Sequence, residues 1–296
     1  MSEAFKHRIQ SSLVLWALLL ISIGTGKAVL YVAIITLICG LGYWEYFQLY
    51  KRESVQIGGF IGTLVHLGYP LSLGAFYVLE TAPGVGALLP PEDFDTIALL
   101  VVFFLFFVQR MRNKHRADQS YGTVTANFFA FIHSTFLFCF TLKLLFLFPG
   151  DSRSETSGIW YVFWFVLVTK FTDMGALFAG KLFGKTLVWD AISPSKTLQG
   201  LFGGVGLGVA AGVVDYLLFP ERLQLFDNVL NVVFVSLLIC LAAIYGDLAE
   251  SIFKRSLKAK DSSLVIPGIG GVLDLMDSLC FSAPVMFFVA KYYLIP

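Results

Sequence analysis

Charged side chains are scarce in this sequence of 296 residues, where 21 Lys and Arg and 20 Asp and Glu make up only 14% of the chain. Soluble domains carry about 25% charged and about 45–50% apolar residues, whereas hydrophobic residues reach 57% here. The net charge of +1 offers no basic excess to a nucleic acid. The composition therefore excludes a soluble globular enzyme, a disordered scaffold and a nucleic-acid binder, and it predicts an all-α, polytopic integral membrane protein.

Cysteine is also rare, and its four occurrences lie far apart in apolar stretches, at Cys39, Cys139, Cys240 and Cys280. Their spacing has neither the pairs of a zinc site nor the pattern of a disulfide framework. We therefore interpret the four thiols as small apolar side chains within helices.

Apolar runs long enough to cross a bilayer recur along the chain. A hydrocarbon core about 30 Å thick needs about 20 apolar residues per helix. The first run, preceded by Lys6 and Arg8, also fits a cleaved signal peptide, but a second run begins at once after Lys27, which favours a helical hairpin. We predict about nine transmembrane helices, about five within residues 1–150 and the others in a catalytic region, 151–296. The predicted runs are 11–24, 27–48, 57–79, 95–109, 122–148, 158–181, 198–219, 228–252 and 278–295.

Lysine and arginine concentrate in alternate loops between these runs, namely 51–56, 110–118, 182–197 and 253–277. Cytoplasmic loops are enriched in these two residues. We therefore predict a cytoplasmic N-terminus for this multi-pass protein, and we take the cell inner membrane as its simplest location. The two longest polar loops, 182–197 and 253–277, are expected to form an active site that faces the cytoplasm.

The eighth run acquires a polar face as it approaches its cytoplasmic end. Glu250, Ser251 and Lys254 follow Asp247 at offsets of three, four and seven residues, which places all four on one side of a helix. An ionisable group inside a span costs roughly 2.5–3.5 kcal/mol or more and usually marks function. This stripe therefore predicts a functional site.

Four other ionisable residues lie inside predicted runs. Lys170 and Asp173 are three residues apart, so they either form a pair that locks two helices together or belong to a site. Glu45 either ends the second helix or has a function of its own. Asp215 lies near the outer surface, and we interpret it as structural.

The last polar loop contains groups suited to phosphates and to a metal ion. Its lysines and arginines are phosphate ligands, and Gly270 and Gly271 permit close approach of the backbone to a ligand. Asp274 and Asp277 are predicted to share one face of a short helix. Hard carboxylates beside phosphates indicate Mg²⁺.

The other polar loop combines a turn with hydrogen-bond donors. Ser193 precedes a proline, which is typical of a turn, and Lys196 and Thr197 follow as donors to a phosphate. Glycines before and after this loop have the spacing of tight helix packing. A glycine-rich run in the next span, 203–208, resembles a dinucleotide motif, but without a preceding strand we assign it to helix contact.

Both loops, with the helices that precede them, resemble signature segments of phosphatidate cytidylyltransferases, also called CDP-diacylglycerol synthases. The segments match in order, spacing and membrane side, and a weaker resemblance, which includes Glu45, extends over nearly the whole chain. The family commonly has Tyr, Lys, His and Arg where this chain has Leu177, Ser195, Ile269 and Leu275. The first segment contains Asp173, Gly180, Lys181, Gly184, Lys185, Ser193, Pro194, Lys196, Thr197 and Gly200, and the second contains Ser251, Lys254, Arg255, Lys260, Asp261, Pro267, Gly268, Gly270, Gly271, Asp274 and Asp277.

The resemblance implies transfer of CMP from CTP to phosphatidate, giving CDP-diacylglycerol and pyrophosphate in phospholipid biosynthesis, with Mg²⁺ and room for a second cation. It also implies contact with membrane lipid and a homodimer. Asp247 and Asp274 are expected as principal metal ligands, with Asp277 and Asp173 in support. The expected catalytic residues are Asp247, Asp274, Lys254 and Lys196, and the expected substrate-binding residues are Ser193, Thr197, Ser251, Arg255, Lys260, Gly270 and Gly271.

Three other functions remain open at this point. A transporter or channel would spread charge through the bilayer centre and repeat its halves, whereas here charge gathers at one side. A CTP-dependent enzyme acting on a polyprenyl or other lipid alcohol would have similar phosphate-binding parts. An inactive family member is disfavoured by Asp247, Asp274 and Asp277, because such groups are costly in a membrane.

Overall fold

The chain forms a bundle of long helices in a computed structural model, which describes residues 25, 27–52, 57–80, 91–112, 120–147, 158–189, 192–193, 195–257 and 271–295. We number the α-helices of these segments in chain order. They are α1 (Ala28–Arg52), α2 (Phe60–Glu80), α3 (Pro91–Arg112), α4 (Ser120–Phe131), α5 (Phe140–Phe146), α6 (Gly158–Phe183), α7 (Leu198–Leu218), α8 (Val229–Ser256) and α9 (Val272–Val289).

Eight segments of the described chain are long and apolar enough to cross a membrane, with α4 and α5 together forming one of them. They correspond to the second to ninth predicted runs, and the first predicted run, 11–24, lies outside the described residues. The expected all-α, multi-pass architecture is confirmed. The last helix begins at Val272, earlier than the predicted run 278–295, because Asp274 and Asp277 interrupt the hydropathy but not the helix.

Helices α6 and α7 approach each other closely along a row of glycines. A Cβ atom on Gly203 would lie 2.1 Å from the Cβ of Ala179, and one on Gly208 would lie 2.3 Å from Oγ1 of Thr172. No larger side chain fits at these positions. The glycine-rich run therefore serves helix contact, as predicted, and it fixes α7 against α6.

The span that contains α4 and α5 carries a π-helical turn at Ile132–Phe136. Further along, the buried Lys143 ammonium lies 2.5 Å from Oδ2 of Asp95 and 4.0 Å from the ring centre of Phe140. This ion pair joins α5 to α3, and it accounts for two charged groups that are separate from the polar cluster described below.

Helix α9 packs among α1, α5, α6 and α8. Its first turn meets the last turns of α8 and the middle of α6, because Lys254 contacts Asp274 and Lys170 contacts the carbonyl of Leu275. The period of an α-helix then places Asp277 about one turn deeper on the same side as Asp274. The fold thus brings the polar groups of three helices to one region.

Candidate active site

Three carboxylates form the centre of the polar region. One ligand oxygen from each of Asp247, Glu250 and Asp277 lies within 4.8 Å of the others. Glu250 and Asp277 are buried, and Asp247 is half-buried. Oε1 of Glu250 is buried and has no hydrogen-bond partner among the described residues, so within that part of the chain the cluster contains an oxygen that lacks the compensation a buried polar atom usually has.

Lys254 connects this cluster with the first turn of α9. Its ammonium group lies 3.0 Å from Oε2 of Glu250 and 2.6 Å from Oδ1 of Asp274. The second oxygen of Asp274 accepts a hydrogen bond of 2.6 Å from the backbone N–H of Gly271. Lys254, predicted as a phosphate ligand, therefore also holds two carboxylates of neighbouring helices at fixed positions.

Helix α6 contributes a second cation and a fourth carboxylate. The Lys170 ammonium donates to the carbonyl of Leu275 at 2.9 Å and lies 3.4 Å from Oδ2 of Asp173. The other oxygen of Asp173 accepts a 3.0 Å hydrogen bond from the hydroxyl of Ser278. The same hydroxyl lies 3.0 Å from Oδ1 of Asp277, so Ser278 bridges the α6 carboxylate to the central cluster.

Lys196 enters the site from the loop between α6 and α7. A single antiparallel bridge between Leu187 and Thr197 closes this loop, and the Lys196 ammonium forms an ion pair with Oδ2 of Asp247. Burial lowers the pKa of Lys196, and the nearby carboxylates Asp173 and Asp277 act in the opposite direction. The loop thus places the largely buried ammonium group of Lys196 beside Asp247, the half-buried member of the carboxylate cluster.

A glycine on α8 permits the close approach that forms the cluster. A Cβ atom on Gly246 would lie 2.5 Å from the carbonyl oxygen of Asp277 and 3.0 Å from the Cα of Ser278. Asp247 follows directly in the sequence. The short distance between α8 and α9 at this point brings Asp247 and Glu250 beside Asp277.

The residues that are predicted to bind substrate differ in their contacts and in their burial. Thr197 accepts a hydrogen bond of 3.1 Å from the N–H of Gly200 and caps α7, whereas Ser193 is buried. Ser251 is half-buried and Arg255 is exposed, both on the last turns of α8. Lys260 and Gly270, which were also predicted to bind substrate, lie outside the described residues, as does Ile269.

Of the four aspartates that are expected to bind metal, two lie in the central cluster and two contact neighbouring groups. Asp247 and Asp277 are together, whereas Asp274 contacts Lys254, and Asp173 contacts Ser278 and Lys170. Glu250 takes the third place in the central cluster. Its position in the polar stripe of α8 is a signal in the sequence for this place, although the expected metal ligands are aspartates alone.

The balance of charge in the region suits a divalent cation. Among the described residues, five carboxylates share the space with three ammonium groups, so these groups have an excess of two negative charges when all are ionised. Buried like charges repel unless a cation or protons compensate them. Oxygen ligands are those that hard cations such as Mg²⁺ and Ca²⁺ prefer. The charged side chains are Asp173, Asp247, Glu250, Asp274, Asp277, Lys170, Lys196 and Lys254.

Comparison with known proteins agrees with the resemblance of the two signature segments. A phosphatidate cytidylyltransferase of Staphylococcus aureus is 35% identical over 171 residues, which cover 56% of this chain and 63% of that protein. The corresponding protein of Staphylococcus epidermidis is 33% identical over 169 residues, again covering 56% of this chain and 63% of the relative. One from Staphylococcus haemolyticus is 29% identical over 233 residues, covering 76% and 88%. A model of the cytidylyltransferase family matches residues 6–293, and the chain therefore belongs to the cytidylyltransferase family.

Proposed function

We propose that this protein transfers the cytidylyl group of CTP to phosphatidate, which yields CDP-diacylglycerol and pyrophosphate. The observation that carries the proposal is the cluster of carboxylates around Lys196 and Lys254 in a multi-pass membrane protein of the cytidylyltransferase family. The relatives named above carry the name phosphatidate cytidylyltransferase, and they supply the identity of the lipid in this proposal.

The reaction requires positioning more than covalent chemistry from the protein. A phosphate oxygen of phosphatidate attacks the α-phosphorus of CTP, the bond from that phosphorus to the bridging oxygen breaks, and pyrophosphate leaves with the electron pair. Phosphatidate is already anionic, so no side chain has to remove a proton from the nucleophile. The site must bring two anions together and stabilise the charge that develops on the leaving oxygen.

The cationic side chains are suited to that requirement. Lys196 lies on a loop that borders the central cluster, and Arg255 is exposed on the last turn of α8. Both can contact phosphate oxygens, Lys196 from its position beside the half-buried Asp247 and Arg255 from the surface. Glu250 and Asp274 hold the Lys254 ammonium group in a fixed position. The N–H donor that these two carboxylates leave unused can bind a phosphate oxygen. Lys260, Gly270 and Gly271 complete the proposed phosphate-binding region.

A magnesium ion fits the central cluster. Asp247, Glu250 and Asp277 would hold it, because their oxygens converge and Oε1 of Glu250 has no hydrogen-bond partner in the part of the chain that the structure describes. When bound, Mg²⁺ would polarise the α-phosphate and neutralise part of the pyrophosphate charge. Asp274 and Asp173 orient the neighbouring ammonium groups in this arrangement, and a second cation would supply further neutralisation of the phosphate charge.

The direction of the chain in the membrane follows from the source of CTP. A nucleotide made in the cytoplasm must reach the end of α8 and the loop before α7. The proposed orientation therefore puts these segments on the cytoplasmic side of the inner membrane, with the N-terminus on the same side. Loop 110–118, which is rich in arginine, agrees with this orientation.

The proposal is tested by measuring pyrophosphate release from CTP by the purified protein in detergent, with phosphatidate and Mg²⁺ each present or omitted. We expect release only when both are present. The matched variants are Asp247→Asn and Asp215→Asn, since Asp215 is also a membrane aspartate but lies at the opposite end of α7 from Lys196. Asp247→Asn should lose at least about 100-fold in rate, and Asp215→Asn should keep it.

Two results would count against the proposal. Pyrophosphate release that does not depend on phosphatidate would indicate another acceptor, such as a lipid alcohol or water. No release at all from a folded preparation, as judged by a cooperative thermal transition, would indicate a family member that lacks this activity.

A further inference from the structure

The side chain of Glu45, on α1 in the N-terminal half of the chain, contacts the first turn of α9. The side chain is fully buried at 0% exposure. Its Oε1 accepts a 2.7 Å hydrogen bond from the N–H of Val272, and its Oε2 accepts one of 2.8 Å from the N–H of Leu273. Both carboxylate oxygens are thus directed at the backbone of a helix that is more than 200 residues away in the sequence.

These two bonds meet a specific need of α9. The first N–H groups of a helix have no partner within the helix and carry the positive end of its dipole. In α9 the N–H of Gly271 is satisfied by Asp274, and those of Val272 and Leu273 are satisfied by Glu45. The first N–H groups at the start of α9 are therefore occupied by two carboxylates of the protein itself.

The packing around Glu45 is close enough to fix the contact. One turn earlier on α1, a Cβ atom on Gly42 would lie 3.2 Å from Sδ of Met276 and 3.5 Å from Cδ2 of Leu273. The two helices thus meet at short range beside the carboxylate. Because Asp274 and Asp277 follow within the first two turns of α9, any displacement of this helix start moves both carboxylates.

We infer that Glu45 is a positioning residue that seats the first turn of α9 and so sets the place of Asp277 in the metal cluster. The inference rests on the proposed metal-dependent cytidylyl transfer. Both hydrogen bonds of Glu45 described above go to backbone N–H groups of α9, so in this inference it acts through the backbone. Replacement should therefore change the geometry of the site without removing any of its ligands.

The test compares Glu45→Gln and Glu45→Ala with Asp215→Asn in the full-length protein in detergent. Glutamine has the same shape as glutamate but only one acceptor oxygen, so one of the two N–H groups loses its partner. Hydrogen exchange measured by mass spectrometry on peptides that cover residues 271–277 reports the helix start directly. We expect exchange about tenfold faster in Glu45→Gln, which corresponds to about 1.4 kcal/mol, faster still in Glu45→Ala, and unchanged in Asp215→Asn.

A second readout separates positioning from general loss of stability. In Glu45→Gln the Mg²⁺ concentration for half-maximal rate should rise and kcat should fall, each by about tenfold, while the KM for CTP at saturating Mg²⁺ changes little. Asp215→Asn should leave all three quantities at their wild-type values, even if its melting temperature falls by as much as that of Glu45→Gln. Equal Mg²⁺ dependence in Glu45→Gln and wild type would overturn the positioning role.

The two proposals can fail separately. If wild type transfers no cytidylyl group, the proposed function fails, but exchange in 271–277 still measures whether Glu45 seats α9. Wild-type exchange in both Glu45 variants would refute the seating of the helix even if catalysis is lost, because the loss would then have another origin.

Discussion

Replacement of Gly246 by alanine tests the close approach of α8 and α9 at the site. The added Cβ atom would lie 2.5 Å from the carbonyl oxygen of Asp277, about 1 Å closer than an ordinary van der Waals contact. The obstacle is backbone rather than a flexible side chain, so the strain cannot be relieved by a change of rotamer. The helices must separate by a comparable amount, and Asp247 moves away from Asp277.

The size of the effect follows from that displacement. Overpacking of a well-packed contact costs about 1–3 kcal/mol, so the Gly246→Ala protein should fold with a lower melting temperature. A misplacement of about 1 Å in a catalytic site costs about 100-fold in rate, and we expect a loss of kcat of this order. The expected signature is a loss of activity much larger than the loss of stability.

Gly206→Ala is the matched control for this experiment, since no atom of a described residue lies within 4 Å of a Cβ placed on Gly206 of α7. Alanine is favoured over glycine inside a helix by about 0.5–1 kcal/mol, so this variant should be as stable as wild type or more stable, and fully active. Cytidylyl transfer and thermal unfolding are measured on both variants in the same detergent. A Gly246→Ala protein with wild-type rate and melting temperature would refute the contact between α8 and α9.

Three further predictions concern individual charges. Asp277→Asn removes a proposed ligand and should raise the Mg²⁺ concentration for half-maximal rate by at least about tenfold, and an unchanged Mg²⁺ titration would remove Asp277 from the metal site. Lys254→Met leaves Glu250 and Asp274 without their shared cation and should destabilise the protein by about 3 kcal/mol, which lowers the melting temperature. An unchanged melting temperature would contradict this role of Lys254. The lowered pKa of Lys196 means that its ammonium loses the proton at a lower pH than a free lysine, so kcat/KM should fall as the pH rises through that pKa. In Lys196→Arg the charge persists, and the alkaline fall should move to higher pH; identical alkaline limbs would exclude Lys196 as its origin.

The sequence predicts the helices well because each apolar run is long and continuous. It also predicts that Asp247 and Lys254 share one face of α8, since a helix has a fixed period. The start of α9 is less accurate. A search for apolar runs stops at Asp274 and Asp277, although both residues lie in regular helix. Asp274 is compensated by Lys254 of α8, and Asp277 accepts a hydrogen bond from the hydroxyl of Ser278, the next residue of α9.

The relations between helices are the part that the sequence leaves open. The period of α8 places Glu250 beside Asp247, but nothing local to Glu250 indicates that Asp277 lies opposite. The two interpretations of Glu45, a helix end or a functional residue, could be separated only by the distance to α9. Distances of this kind depend on how glycines such as Gly246 allow helices to pack, and that depends on the whole bundle.

The central claim is that these side chains form one metal-dependent site that transfers a cytidylyl group to phosphatidate. The most direct measurement compares CTP labelled at the α-phosphate with CTP labelled at the γ-phosphate, in vesicles that contain the protein and phosphatidate. We predict that the α label enters the lipid, that the γ label leaves as pyrophosphate, and that both steps require Mg²⁺ and Asp247. Entry of the γ label into lipid would contradict the account, because it would identify transfer of a phosphoryl group instead.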